Sequence, residues 1–259
     1  MRQIIMKDRS KNFPSLKDIL NFGDPDVTTR GVGEGDHDSI NHFTAKLKKK
    51  GHEVTRIDPT TITNLPDNNR NIEGGICGGL SVVHILSQLQ SKTSFIKNPI
   101  RDYYKLKEAT EIQEECDDKL QCFKKVLLNN NSYKPYKRCD ADALEHKLQK
   151  LVGKVNGTEE DERSRGILIT TDINRDPHSG EKRNFDAGHG ISMTVQKHNN
   201  QLFCTGMDSN LFFATGKGES GCNKIAKKMA DTVNAYDAHN VYTVTVTEQN
   251  VVKTSKKGY

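Results

Sequence analysis

The spacing of apolar residues changes near Gly166, and this change constrains the fold more than any other feature of the sequence. Before it, residues 103–128 and 141–152 carry apolar side chains at helical spacing, such as Leu144 and Leu148. After it, alternating apolar and polar residues predict strands. These runs are residues 167–170, 191–195, 201–207 and 241–246, and one more helix is predicted at residues 223–236. Helices followed by an antiparallel sheet are typical of the α+β fold class, which we expect here.

A cysteine lies in the glycine-rich segment Gly74-Gly75-Ile76-Cys77-Gly78-Gly79, directly before an apolar run. Leu80, Val83 and Leu86 fall on one face of the helix that this run predicts. A helix N-terminus favours the nucleophilic thiolate form of a cysteine, and flanking glycines would leave the sulfur accessible. The sequence therefore predicts Cys77 as a nucleophile. The alternative is a small buried cysteine that fills a gap beside a glycine turn.

A histidine and an aspartate lie at the ends of two successive predicted strands. Gly188-His189-Gly190 opens the run 191–195, and Asp208 follows the run 201–207. The intervening Asn199-Asn200 pair is typical of a hairpin turn, which would bring His189 and Asp208 to one edge of the sheet. An imidazole that takes the proton of a thiol, oriented by a carboxylate, is the site of a thiol protease. Taken singly, His189 is an ordinary strand-end residue and Asp208 a turn former.

The segments around these three residues resemble those of the YopT/AvrPphB family of bacterial effector cysteine proteases, a papain-like group. Gly75-Ile76-Cys77-Gly78-Gly79-Leu80-Ser81 is similar to the segment at the family's nucleophile, and His189-Gly190-Ile191-Ser192-Met193 to its histidine strand. Asp208-Ser209-Asn210 is similar to its Asp-Pro-Asn segment, with serine in place of proline. The resemblance covers residues 74–246 and implies a papain-like fold with a Cys77-His189-Asp208 triad.

The resemblance implies a cysteine endopeptidase, secreted into a host cell, that cleaves a host protein in the host cytoplasm. Two alternatives use the same residues or the same fold: a Cys-His-dependent deamidase or acyl-transferring effector, and a catalytically inactive binding module. An oxyanion formed during hydrolysis needs two donors. The first is the backbone N–H of Cys77, and the second is Asn71, with Asn68 and Asn69 as competing candidates.

The cysteine spacing predicts neither a metal site nor a cofactor. None of the six cysteines forms a Cys-x-x-Cys pair or a zinc-type spacing with histidine. Cys116 and Cys122 are six residues apart and would not share one stripe of a continuous helix. We therefore expect reduced thiols. Cys204 alternates into a strand and is expected in the core.

The charge pattern constrains the partners. The chain has 39 Lys and Arg against 34 Asp and Glu, a formal net charge of +5, and its lysine pairs are scattered. Nucleic-acid binding requires a clustered basic face, so no nucleic-acid partner is expected. Weak contact with an anionic membrane is the alternative role for the lysines. The basic charge also argues against a polybasic substrate tail. Acidic residues clustered at the rim of the cleft would reverse this expectation. The candidates are Glu111, Glu114, Glu115, Asp117 and Asp118.

Composition along the chain predicts three regions. Residues 1–60, rich in polar residues, Gly and Pro, predict a loosely structured extension with one or two short helices. Residues 61–250 form the predicted catalytic domain, and residues 251–259 a basic tail. Residues 172–187 predict a mobile loop that leads to His189. The sequence shows no secretory h-region and no apolar run near the length of a membrane span, and it leaves the oligomeric state open.

Overall fold

The computed structural model describes residues 27–31, 77–90, 103–116, 120–128, 137–158, 163–175, 181–209 and 212–248. These residues form seven strands and five helices. The helices are α1 (Cys77–Gln90), α2 (Tyr103–Cys116), α3 (Leu120–Leu127), α4 (Ala141–Asn156) and α5 (Gly218–Ala235). The strands are β1 (Val27–Gly31), β2 (Lys137–Cys139), β3 (Ser164–Arg175), β4 (Lys182–His198), β5 (Gln201–Asp208), β6 (Phe212–Lys217) and β7 (Val241–Thr247).

The strands form one antiparallel sheet in the order β1-β6-β5-β4-β3-β7-β2. The hairpin predicted between β4 and β5 is confirmed: Asn199 and Asn200 have φ angles of 50° and 58°. A two-residue turn of this kind requires the left-handed conformation at both positions, and asparagine adopts it more readily than most residues.

Helices cover both faces of the sheet, so the molecule has three layers. Alternation along β3 sends Ile167 and Ile169 into a core with α4 and α5, and Leu168 into a second core with α1, α2 and α3. The predicted α+β class is confirmed, and the helix that begins at Cys77 packs on the sheet that carries His189, as expected. In the part of the chain that is described, no helix is both long and apolar enough to cross a membrane.

Cys116 and Cys122 form a disulfide with a Cα–Cα distance of 5.1 Å, so the prediction of reduced thiols was wrong for this pair. The sequence predicted one helix over residues 103–128 and reduced thiols. Instead α2 ends at Cys116 and α3 begins at Leu120. This break removes the geometric objection, because Cys116 and Cys122 do not belong to one continuous helix.

The region before His189 also differs from its prediction as a mobile loop. β3 extends to Arg175 and β4 begins at Lys182, so the two strands continue their pairing with Ile173 opposite Ala187. His189 therefore lies inside β4 and not at its start. Residues 176–180 lie outside the described residues.

Three strands, β1, β2 and β6, were missing from the sequence prediction. Val27–Gly31, within the predicted N-terminal extension, pairs with β6 and forms one edge of the sheet. β6 itself begins with Phe212 and Phe213, which are both buried because helices cover both of its faces. A strand that is buried on both sides loses the alternation by which a strand is predicted. The domain boundaries at residues 60 and 250 stay predictions.

The first turn of α1 packs against its neighbours through backbone atoms. A Cβ atom on Gly190 of β4 would lie 2.9 Å from Gly78 Cα and 3.2 Å from the carbonyl oxygen of Cys77. On the other side, a Cβ atom on Gly79 would lie 1.9 Å from the carbonyl oxygen of Ala109 in α2. Glycine is therefore required for this first turn to fit between β4 and α2, which sets Cys77 beside β4.

Gly190→Ala is expected to lower the free energy of unfolding by roughly 2 kcal/mol or more, because the added methyl group meets backbone that cannot move aside cheaply. Gly188→Ala is the matched control, since nothing lies within 4 Å of the corresponding position. It should change stability by about 0.5 kcal/mol or less. Chemical denaturation measures both, and equal losses would show that the close approach at Gly190 does not limit the packing.

Candidate active site

His189 and Asp208 form a buried pair on adjacent strands. Nε2 of His189 lies 2.9 Å from Oδ1 of Asp208. Asp208 is opposite Ile191 in the β4–β5 register. His189 lies two residues before Ile191 in β4, so its side chain projects from the same face of the sheet. His189 is 4% exposed and Asp208 is 0% exposed. Their attraction is therefore much less screened by water than that of a surface pair.

Cys77 is the second partner of the imidazole. Its side chain shares a hydrogen bond with His189. Because Nε2 of His189 faces Asp208, the nitrogen that remains for the thiol is Nδ1. The three residues predicted as a triad are thus brought together. The sequence analysis expected the flanking glycines to leave the sulfur accessible. Instead Gly78, Gly79 and Gly190 let the backbone pack closely, and Cys77 is 6% exposed.

The electrostatics favour the protonated imidazole. Burial is the largest single influence and would lower the pKa of His189, but the charges and hydrogen bonds of Asp208 and Cys77, with the Asp208 charge the strongest of them, together outweigh it. Together they raise the pKa of His189 from 6.5 to about 10. At neutral pH the ring therefore carries a positive charge.

Tyr236, the last residue of the helix predicted at residues 223–236, also contacts this pair. Its hydroxyl donates to Oδ2 of Asp208 at 2.8 Å. Its ring meets that of His189 edge to face, with 5.3 Å between ring centroids and 73° between planes. No local pattern marks such a residue, because the contact joins positions 28 residues apart.

His84 lies in the middle of α1 and fixes that helix on the sheet. Its Nδ1 is 2.7 Å from Ser192 Oγ and its Nε2 is 2.7 Å from Thr205 Oγ1. Oγ1 of Thr205 is also 2.6 Å from Oγ1 of Thr194. Burial lowers the pKa of His84 to about 3, so this ring stays neutral. Sequence reasoning missed this contact, because the partners are more than 100 residues from His84.

The first turn of α1 has a second partner that sequence reasoning missed. The backbone N–H of Gly79 donates to Oε1 of Gln113 at 2.9 Å. Asn71, the predicted second oxyanion donor, lies outside the described residues, as do its competitors Asn68 and Asn69.

Of the acidic residues predicted as a docking surface, Glu111 and Glu115 are exposed on α2 and Glu114 is partly exposed. Asp117 and Asp118 lie outside the described residues. Within the described ranges, no group of three or more His, Cys, Asp and Glu side chains is placed to hold a metal ion.

Comparison with known proteins gives one structural likeness. No protein-family model and no curated protein matches the chain. Among solved structures, the chain is similar to the Pseudomonas avirulence protein AvrPphB, with a TM-score of 0.39 and 16% sequence identity. The likeness covers 69% of this chain and 92% of that chain. A likeness at this level assigns no role to any residue of this chain.

Titration of the histidine rings by NMR is expected to give His189 a pKa well above 6.5, toward the value of about 10. Asp208→Asn should lower it, because the carboxylate is the largest influence that opposes burial. His84, with a pKa of about 3, is the internal reference and should not titrate between about pH 5 and about pH 9. A midpoint for His189 at or below 6.5 in the wild type would contradict the charge pair.

Stability should depend on pH in the corresponding direction. Since the folded pKa of His189 lies above its unfolded value of 6.5, the stabilisation from its protonated form is complete below about pH 6.5. It is lost as the pH rises toward about 10. The difference in free energy of unfolding between the wild type and Asp208→Asn is therefore expected to shrink over this range.

Proposed function

We propose that the chain is a cysteine protease in which Cys77 is the nucleophile, His189 the base and then the acid, and Asp208 the orienting carboxylate. One observation carries the proposal: a cysteine at the first residue of a helix shares a hydrogen bond with a buried imidazole that a buried carboxylate holds 2.9 Å away. This is the geometry by which a thiol transfers its proton and becomes a nucleophile.

In the proposed reaction, the sulfur of Cys77 attacks the carbonyl carbon of a peptide bond and an oxyanion forms. As the carbon–nitrogen bond breaks, the proton on Nδ1 of His189 passes to the leaving amine, which departs. A thioester to Cys77 remains. Water then attacks the thioester while His189 takes a proton from it, and the carboxylic acid leaves as the thiolate and the imidazolium are restored.

The backbone N–H of Cys77, at the start of α1, is the first proposed donor to the oxyanion, since unpaired N–H groups at a helix N-terminus point toward a negative charge. Asn71 stays the proposed second donor. The N–H of Gly79 is less suited, because it already donates to Gln113.

We further propose, from the residue patterns at 75–81, 189–193 and 208–210, that the chain is a distant member of the YopT/AvrPphB family. The proposed setting is that of a secreted bacterial effector, with a host protein as substrate and the host cytoplasm as its place of action. No nucleic acid is expected as a partner, and weak contact with an anionic membrane remains a proposal. The exposed Glu111 and Glu115 of α2 are the proposed site for a basic substrate segment, if the protease prefers one.

Cys77→Ala is expected to abolish cleavage and to leave the fold intact, because alanine fits the space of the small buried thiol and suits the helical backbone of α1. Cys204→Ala is the matched control: Cys204 is fully buried in the core, so its loss should cost roughly 1–2 kcal/mol of stability and leave cleavage in place. The measurement is mass spectrometry of a treated host-cell lysate for new peptide N-termini. Intact glutamines that gain the mass of deamidation would support the deamidase instead, and termini that persist with Cys77→Ala would refute the protease.

Cys77 should react with iodoacetamide faster than Cys139, although Cys139 is the more exposed free thiol. Burial raises the pKa of Cys139, with Lys147 acting in the opposite direction, so little thiolate is present there at pH 7. Cys77 has an imidazolium as its partner, and alkylation requires the thiolate. Peptide mapping after short exposure gives both rates. Faster labelling of Cys139 would favour the inactive binding module.

A further inference from the structure

We propose that Tyr236 is a positioning residue of this site, which fixes the carboxylate of Asp208 so that its other oxygen faces His189. The inference rests on the proposed function and adds a fourth side chain to the predicted three. The carboxylate is bonded at both oxygens: Oδ2 accepts from the Tyr236 hydroxyl at 2.8 Å, and Oδ1 lies 2.9 Å from Nε2 of His189. Rotation of the carboxylate about its Cβ–Cγ bond would break both contacts at once.

The backbone of Tyr236 is itself fixed by the sheet. Its carbonyl oxygen accepts from the N–H of Asn174 at 2.9 Å and from the N–H of Arg175 at 3.1 Å, at the end of β3. Asp172 of the same strand accepts from the N–H of Asn240 at 2.9 Å, in the turn that follows α5. The end of β3 thus holds the segment that carries Tyr236, and the hydroxyl is presented to Asp208 from a fixed point.

The chemistry of the hydroxyl suits this role. A carboxylate that is 0% exposed needs donors at both oxygens, because an unsatisfied buried charge is costly. A second cation at Oδ2 would compete with the imidazolium for the negative charge. A neutral hydroxyl satisfies Oδ2 and leaves the positive partner of Asp208 to be His189. The edge-to-face contact of the Tyr236 ring also limits the tilt of the imidazole.

Loss of the Tyr236 hydroxyl should slow proton transfer at His189. Nδ1 of His189 must face the sulfur of Cys77 and afterwards the leaving amine, so small rotations of the ring are costly. Without the hydroxyl, Asp208 loses one of the bonds that set its orientation. His189 would then be less often in the reactive geometry, although every group that touches the substrate is still present.

The test uses Tyr236→Phe, which removes only the hydroxyl, and Thr232→Val as its matched control. Thr232 lies one turn earlier in α5, is fully buried and donates its hydroxyl to the carbonyl oxygen of Lys228, away from the site. The first measurement is the rate of alkylation of Cys77 by iodoacetamide at pH 7. The second is kcat and KM on a peptide that the wild type cleaves. Tyr236→Phe is expected to slow alkylation about tenfold and to lower kcat about tenfold at unchanged KM, and Thr232→Val to alter neither by more than about twofold.

A double-mutant cycle separates positioning from general packing. If Tyr236 acts through Asp208, then Tyr236→Phe should slow alkylation by less than about twofold when Asp208→Ala is already present. An equal slowing in both backgrounds would overturn the proposal, as would no slowing in the single variant or an equal effect of Thr232→Val.

The two readouts also distinguish this inference from the proposed function. Alkylation of Cys77 requires no substrate. If the wild type cleaves no protein but alkylation still depends on Tyr236 through Asp208, the protease is refuted and the positioning role stands. If cleavage depends on Cys77 while Tyr236→Phe changes neither kcat nor the alkylation rate, the protease stands and the positioning role is refuted.

Discussion

The candidate site depends on a contact between two stretches of backbone, the first turn of α1 and β4. At Gly190 there is no room for a Cβ atom, so the helix begins directly against the strand that carries His189. Any side chain at Gly190 would move Cys77 away from the imidazole, because the helix is rigid and its first residue is the one displaced. The position of the nucleophile is thus set by the absence of a side chain at this contact.

Two buried histidines show how the partner, and not burial, decides the charge of an imidazole. Both rings are enclosed, and burial lowers the pKa of each. His84 is hydrogen-bonded to the neutral hydroxyls of Ser192 and Thr205, so no opposite charge offsets the cost of burying its charged form, and its pKa falls to about 3. His189 meets a carboxylate, and its pKa rises to about 10. The first ring can therefore serve as a neutral link between α1 and the sheet, while the second can hold and return a proton.

The elements that a single local pattern determines were predictable from the sequence. The α+β class followed from the change of apolar spacing, and the β4–β5 hairpin from Asn199-Asn200. Elements whose cause lies elsewhere in the chain were missed. β6 lacks alternation because both its faces are covered, and β1 is a strand only because β6 offers it an edge. Tyr236 was missed for the same reason, since its role depends on a partner that is distant in sequence and adjacent in the fold.

The helices opposite β4 complete the enclosure of the first turn of α1. A Cβ atom on Gly78 would lie 2.5 Å from Phe123 Cζ of α3 and 2.9 Å from Gln113 Oε1 of α2. The Cys116–Cys122 disulfide joins these two helices at their facing ends. Cys77 is therefore held by the sheet on one side and by a cross-linked pair of helices on the other. A nucleophile held in this way loses little further freedom on meeting a substrate, which is the main physical advantage of placing it at the start of an enclosed helix.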